Sequence, residues 1–191
     1  PMSQLYGEAV AMRATAYREL IKYFGDVPFQ NEFGKASQGL ASRDSIYDVI
    51  LAELQKVEPL MYPLGKAPDF ASTAKNYFSK TYVDGLIGRI ALEAGGYQTR
   101  RNDITPMNGE GQQVSIERFP GSQDNNGATY GRRSDWKKYF ELAKTYFKKA
   151  IDEPGTAVFH ATDPRAKTKA GQMFDNPYQY FFQQMMDDDN G

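Results

Sequence analysis

The chain has 191 residues, with 23 Lys and Arg against 24 Asp and Glu, one His and no Cys. Neither half is a basic arm, so nucleic acid has no electrostatic footprint here, and no apolar run is long enough to span a bilayer. The lack of Cys excludes disulfides, thiol nucleophiles and thiolate metal sites.

Length predicts one domain. The first predicted helix covers residues 4–24, with Tyr6, Val10, Tyr17, Ile21 and Phe24 on its buried side and Leu20 beside them. Ser3 is the only cap on offer, so this start reads as cut from something longer. Gly25 can close the helix in the left-handed conformation. Pro28 forbids continuation and holds Val27 extended. Residues 25–41 read as loop, broken by Gly34 and Gly39.

Ser42 caps the second helix, and Asp44 suits its positive end. Ile46, Ile50, Leu54 and Val57 form the stripe, with Val49 and Leu60 alongside. Pro59, Pro63 and Pro68 end it. The third helix is predicted to start at Thr81, which pairs with Asp84 in the manner of a capping box. Val83, Leu86, Ile87, Ile90, Ala91 and Ala94 are its core residues. Gly85 and Gly88 suit the close approach of a neighbouring helix, and Gly95-Gly96 stops the run.

Residues 97–133 keep no period of 2 or 3.6 and are rich in Gly, Asn, Asp, Gln and Arg. A loop of this length is either a functional insert or a spacer. Ser134 is the predicted cap of a fourth helix, with Trp136, Phe140, Ala143, Phe147, Ala150 and Ile151 facing the core and Tyr139 and Tyr146 beside them. Trp136 is expected to be buried and structural. Pro154-Gly155 stops this helix, and 156–160 reads as a short extended piece. Asn176, Pro177 and Gln179 mark the start of a last helix carrying Tyr178, Phe181, Phe182 and Met185. Asp187, Asp188 and Asp189 oppose its dipole, so its end should fray. Helix starts near 43 and 81 predict an all-α fold of tetratricopeptide-like helix pairs with long inserted loops, one helical-repeat domain over 1–191.

Catalytic chemistry has little to build on. His160 is the one histidine, so a histidine metal cluster has nothing to build on and a Ser-His-Asp arrangement little. Gly109-x-Gly111 lacks the third Gly and the helix of a dinucleotide loop. Asp124-Asn125-Asn126-Gly127 offers oxygens without the spaced acidic ligands of a calcium loop. No spacing singles out a carboxylate pair. The expectation is a protein with no enzymatic activity, no cofactor and no metal.

The string Arg13-x-x-Ala16-Tyr17-x-x-Leu20-Ile21-x-Tyr23-Phe24-Gly25-Asp26-Val27-Pro28 resembles the signature of the SusD/RagB family. Ser42-Arg43-x-x-Ile46-Tyr47-x-x-Ile50-x-x-Glu53-Leu54 resembles its next helix. Lys80 with Leu86-Ile87-Gly88-Arg89-Ile90-Ala91-Leu92 resembles the third, and Trp136, Ala143 and Ala150-Ile151 the fourth. The order agrees over residues 5–182. The resemblance implies a lipid-anchored outer-membrane protein at the cell surface of Bacteroidetes-type bacteria. Such a protein sits over a TonB-dependent porin of the SusC type and captures oligo- or polysaccharide, or in some cases peptide, for import. The lipid-bearing Cys and the long C-terminal part of that family are absent, so the chain reads as a central section. A helical scaffold fragment that only contacts a partner protein is the other reading.

The family's ligand residues form no motif, so site residues come from the residues themselves. A helical scaffold leaves binding to its inserts. In 97–133, Tyr97, Phe119 and Tyr130 can stack on a sugar face. Asp124, Asn125 and Asn126 can pair with hydroxyls, and Arg132 and Arg133 offer donors. Tyr130 is the best single candidate, because the helix start just beyond it limits its freedom.

Overall fold

A computed structural model describes residues 2–30, 34–36, 39–68, 77–158 and 176–179. Contacts divide the chain into two units, Pro1–Thr156 and Ala157–Gly191. The first holds four helices: α1 (Met2–Phe24), α2 (Arg43–Val57), α3 (Lys80–Gly95) and α4 (Trp136–Asp152). A 3-10 turn, Glu58–Leu60, extends α2. In the second unit, residues 177–179 are helical, and Asn176 Oδ1 accepts from the Tyr178 N–H at 3.0 Å. His160, Phe181, Phe182, Met185 and the three Asp lie outside the described residues.

The all-α expectation is wrong. Two small antiparallel sheets accompany the helices. The first pairs β1 (Val27–Pro28) with β2 (Leu40–Ala41) inside the presumed loop. The second is built within 97–133 from β3 (Gln98–Arg101), β4 (Ile116–Arg118) and β5 (Ala128–Arg133), in the order β3-β5-β4. These strands escaped notice for a physical reason. Alternation of apolar residues is the usual strand signal, but the inward positions here are Arg100 and Arg133, both buried.

The α1 face is also rotated from expectation. Its buried residues are Gln4, Gly7, Ala11, Ala14, Arg18 and Ile21, whereas Tyr6 and Phe24 are 61% and 72% exposed. Small residues let α1 approach its neighbours closely. A Cβ on Gly7 would fall 2.5 Å from the Met61 side chain. Gly25 does close the helix, with φ +74 and its N–H bonded to the Ile21 carbonyl.

In α2 the stripe Ile46, Ile50, Leu54 and Val57 is buried, and Ser42 Oγ caps it by accepting from the Ser45 N–H. The cap of α3 is Ser79, two residues earlier than the predicted start at Thr81. Asp84 is not a cap residue but fully buried. The predicted core residues of α3 are buried and pack on α4. Gly88 lies under the Phe147 ring and Gly95 under Phe140, while nothing approaches Gly85 within 4 Å of a Cβ position.

In α4 the buried residues are Tyr139, Ala143 and Tyr146. Ile151 is exposed and Trp136 half-buried, so the predicted stripe is turned to one side. The cap is Asp135 rather than Ser134. It makes no side-chain cap bond because its carboxylate is held by Arg133 and Lys138. No helix among the described residues is long and apolar enough to cross a membrane.

Candidate functional site

Two buried arginines fasten the three-stranded sheet to α2. From β3, Arg100 grips the Asp44 carboxylate with two bonds, Nε to Oδ2 at 2.9 Å and Nη2 to Oδ1 at 2.8 Å, and its Nη1 donates to the Gly131 carbonyl at 2.6 Å. From β5, Arg133 donates to Asp48 Oδ1 at 2.8 Å and to Asp135 Oδ1 at 2.6 Å, and stands 4.2 Å from the Tyr139 ring centre. The Tyr139 hydroxyl donates to the same Asp48 oxygen. Burial opposes the Arg133 charge, but the bonds from Asp135 and Asp48 more than offset it and raise the pKa. Burial, then the bond to Asp48, raises the Tyr139 pKa. Such paired charges fix geometry more than they add stability.

With the inner face pinned, the alternate residues face outward. Thr99 stands opposite Tyr130 and Glu117 opposite Arg132 in the register. Tyr97 precedes β3 and Phe119 follows β4 with the same parity. Their rings meet: Tyr97–Phe119 at 5.0 Å, Phe119–Tyr130 at 5.4 Å and Tyr97–Tyr130 at 5.9 Å between centres. The first is edge-on and the others tilted, arrangements that aromatic quadrupoles favour. Tyr130 remains 40% exposed and Phe119 43%. Arg132 bonds to Glu117 at 3.2 Å and lies 4.8 Å from the Tyr97 centre and 3.8 Å from that of Trp136. Trp136 is therefore a half-buried part of this outer face, not the core residue the sequence suggested.

Tyr97 also lines an open cleft of about 600 Å³. The last turn of α1, with Tyr23, Phe24 and Gly25, forms one side, and Thr99 and Arg101 of β3 line the other. Arg43, Glu93 and Gln98 supply further polar groups. Glu93 is held by Arg18 through Nε at 2.9 Å and Nη2 at 2.5 Å. Arg43 Nη1 donates to Gln98 Oε1 at 3.0 Å, and Gln98 donates to the Glu93 carbonyl. At the edge of the cleft the buried Tyr47 hydroxyl is pushed up to about 12, first by burial and then by the Glu93 charge, so it stays protonated at neutral pH. The cleft thus offers fixed donors and acceptors beside apolar rings, the usual make-up of a small-ligand site.

The sequence candidates divide. Tyr97, Tyr130, Phe119 and Arg132 come together on the outer face. Asp124 does not join them. It accepts from Thr129 Oγ1 at 2.6 Å and pairs with Arg118, which lower its pKa in that order, and it borders a separate hollow beside Arg100. Asn126, at φ 50, forms the β-turn before β5 with Gly127, and Asn125 bridges to Ala128. Arg133 is wholly buried. Thr99, Arg101, Tyr23, Phe24 and Gln98 were missed. The available signal was the shared parity of Tyr97, Thr99 and Arg101. Family models, curated proteins and solved structures were all compared with the chain, and none matches it.

Proposed function

We propose that this chain is a non-catalytic carbohydrate-binding section of a TonB-dependent nutrient-uptake system. In the full-length protein it is held at the outer-membrane surface by a lipid anchor, over a SusC-type porin. The resemblance of the Arg13–Pro28 string to SusD/RagB proteins supports the system and the location. The observation that carries the ligand class is the exposed cluster of Tyr97, Phe119 and Tyr130, which joins the 600 Å³ cleft through Tyr97. Sugar rings present apolar C–H faces and a fringe of hydroxyls. Exposed aromatic faces take the first, and the hydroxyl of Thr99 and the remaining donors of the Arg101 guanidinium, beside its Asp103 partner, take the second.

A glycan array followed by calorimetry tests this. A retained oligosaccharide should lose affinity about tenfold in Tyr130→Ala, equivalent to about 1.4 kcal/mol. Tyr97→Ala should act similarly, and Asp124→Ala should have no effect, since that carboxylate lies in the separate hollow. An empty array with signal on a peptide library would move the ligand class to peptide. Silence on both would leave the scaffold reading. Release of reducing sugar by pure protein, lost on mutating one carboxylate, would contradict the absence of catalysis.

A further inference from the structure

Charged groups gather where the 3-10 turn, the start of α3 and the end of α4 come together. Glu58 of the turn and Asp84 of α3 are 2% and 0% exposed. Lys149 of α4 donates to Glu58 Oε2 at 3.3 Å and packs 4.5 Å from the Tyr146 ring centre. Lys80 of α3 stands 3.3 Å from Glu58 Oε1 but donates to Glu153 Oε2, at 2.7 Å. Both ammonium groups are thus engaged, by Glu58 and Glu153. From α1, the buried Gln4 has both amide hydrogens taken, by Glu8 and by the Phe78 carbonyl.

The bonding here is short of a donor. Asp84 Oδ1, Asp84 Oδ2 and Glu58 Oε1 are all buried without a hydrogen-bond partner. Buried polar atoms in folded proteins are rarely left so. The two carboxyls lie within hydrogen-bonding reach of each other. Two ionised carboxylates can only accept, so as a pair of anions they would repel with no bond between them. A proton on one turns an acceptor into a donor, and a free oxygen of the other receives it. Hydrogen bonds from an acid to a carboxylate are among the short, strong ones.

We propose that Asp84 and Glu58 share one proton, in a carboxylic acid–carboxylate hydrogen bond that ties α3 to the 3-10 turn and comes apart above neutral pH. The surrounding charges agree in direction. Burial and the Glu58 charge raise the Asp84 pKa to about 7, with Lys149 and Lys80 opposing them. The folded value stands above the unfolded one, so the tie is complete in acid and is lost as pH rises through 7. Release of the proton to water leaves two negative charges in one buried place, and the turn loosens from α3. Asp84 lies about 14 Å along α3 from Glu93 of the cleft, at about 1.5 Å per residue. The device is therefore independent of the sugar-binding reading.

Carbon-detected NMR of the side-chain carboxyls, followed from about pH 3 to about pH 9, tests the pair in the unsubstituted chain. The Asp84 Cγ signal should move chiefly near pH 7. Glu58 Cδ should move at that same pH, because one proton leaves both groups. Glu58→Gln removes the neighbouring charge and supplies an amide donor, so the Asp84 step should fall by at least about one pH unit. Asp84→Asn should abolish the Glu58 step near pH 7. Circular dichroism checks that both variants stay folded. As a second measurement, the Glu58 and Met61 amides bond to the Leu54 and Glu58 carbonyls. Their hydrogen exchange, corrected for its intrinsic rise with pH, should quicken above pH 7 in the unsubstituted chain and not in Asp84→Asn. A Glu58 signal that is flat through pH 7, or both carboxyls ionised below about pH 5 as with a water bridging them, would overturn the shared proton. Exchange that stays level through pH 7 would overturn the release of the turn.

Discussion

Asp84 shows what a single buried charge does to the molecule. It is fully buried on α3, and neither carboxylate oxygen has a hydrogen-bond partner among the described residues. Glu58 of the 3-10 turn, Lys80 of α3 and Lys149 of α4 are the charged groups around it. Burial, then the Glu58 charge, pushes its pKa from 3.8 up to about 7. The folded state therefore holds this proton more tightly than the unfolded chain does. The contribution to stability is complete below about pH 4 and is lost as pH rises through 7. Asp84→Asn, which cannot ionise, should flatten the fall in melting temperature between pH 5 and 8 and raise it at pH 8. Parallel melting curves for the two proteins would show that Asp84 does not titrate in this window. Glu58 receives Lys80 and Lys149 at 3.3 Å each, and the same two lysines only partly offset what burial and the Glu58 charge do to Asp84.

At the scale of the element, α3 and α4 owe their close packing to glycine used selectively. Gly85 and Gly88 look alike in sequence, and both cost helix stability relative to Ala. Only Gly88 has a tertiary reason. A Cβ there would sit 2.7 Å from the Phe147 ring, whereas the same atom on Gly85 meets nothing within 4 Å. Gly85→Ala should stabilise by about 0.5–1 kcal/mol, and Gly88→Ala should destabilise by about 1–3 kcal/mol through overpacking. Urea denaturation of the two variants decides it, and equal shifts of the same sign would contradict the packing. The same selectivity acts in the sheet. A Cβ on Gly131 would fall 2.7 Å from Ile116 and 2.8 Å from the Glu117 carbonyl. That glycine lets β4 lie against β5 and places Tyr130 and Arg132 on the outer face.

For the whole molecule, the three-stranded sheet is a fixed platform rather than a loop awaiting a ligand. β5 is paired on both sides and locked to α2 through Arg133 and, by way of Arg100, through the Gly131 carbonyl. Amides of β5 bonded to β3 and β4 should therefore be protected from hydrogen exchange in the ligand-free protein, with the turn at Asn126-Gly127 exchanging fast. Uniformly fast exchange over 128–133 would show that the platform forms only with ligand. The helices were legible because their signals are local. Ile46, Ile50, Leu54 and Val57 repeat at helical spacing, and Ser42 and Gly25 mark ends through their own backbone chemistry. Tyr97, Phe119, Tyr130 and Arg132 could be named as chemistry-bearing for the same reason, since residue type alone says what a ring or guanidinium does. What each helix buries was not local. Gly7, Ala11 and Ala14 face inward and Tyr6 and Phe24 outward because close approach to Met61 and α2 outweighs the size of a ring, and that competition exists only once the neighbours are present. The sheet belongs with these. Its strands are specified by Arg100 meeting Asp44 and Arg133 meeting Asp48, pairs 56 and 85 residues apart in the chain. No periodicity within a strand records a partner at that distance, so the tertiary structure alone decided that 97–133 folds and which of its side chains face outward together.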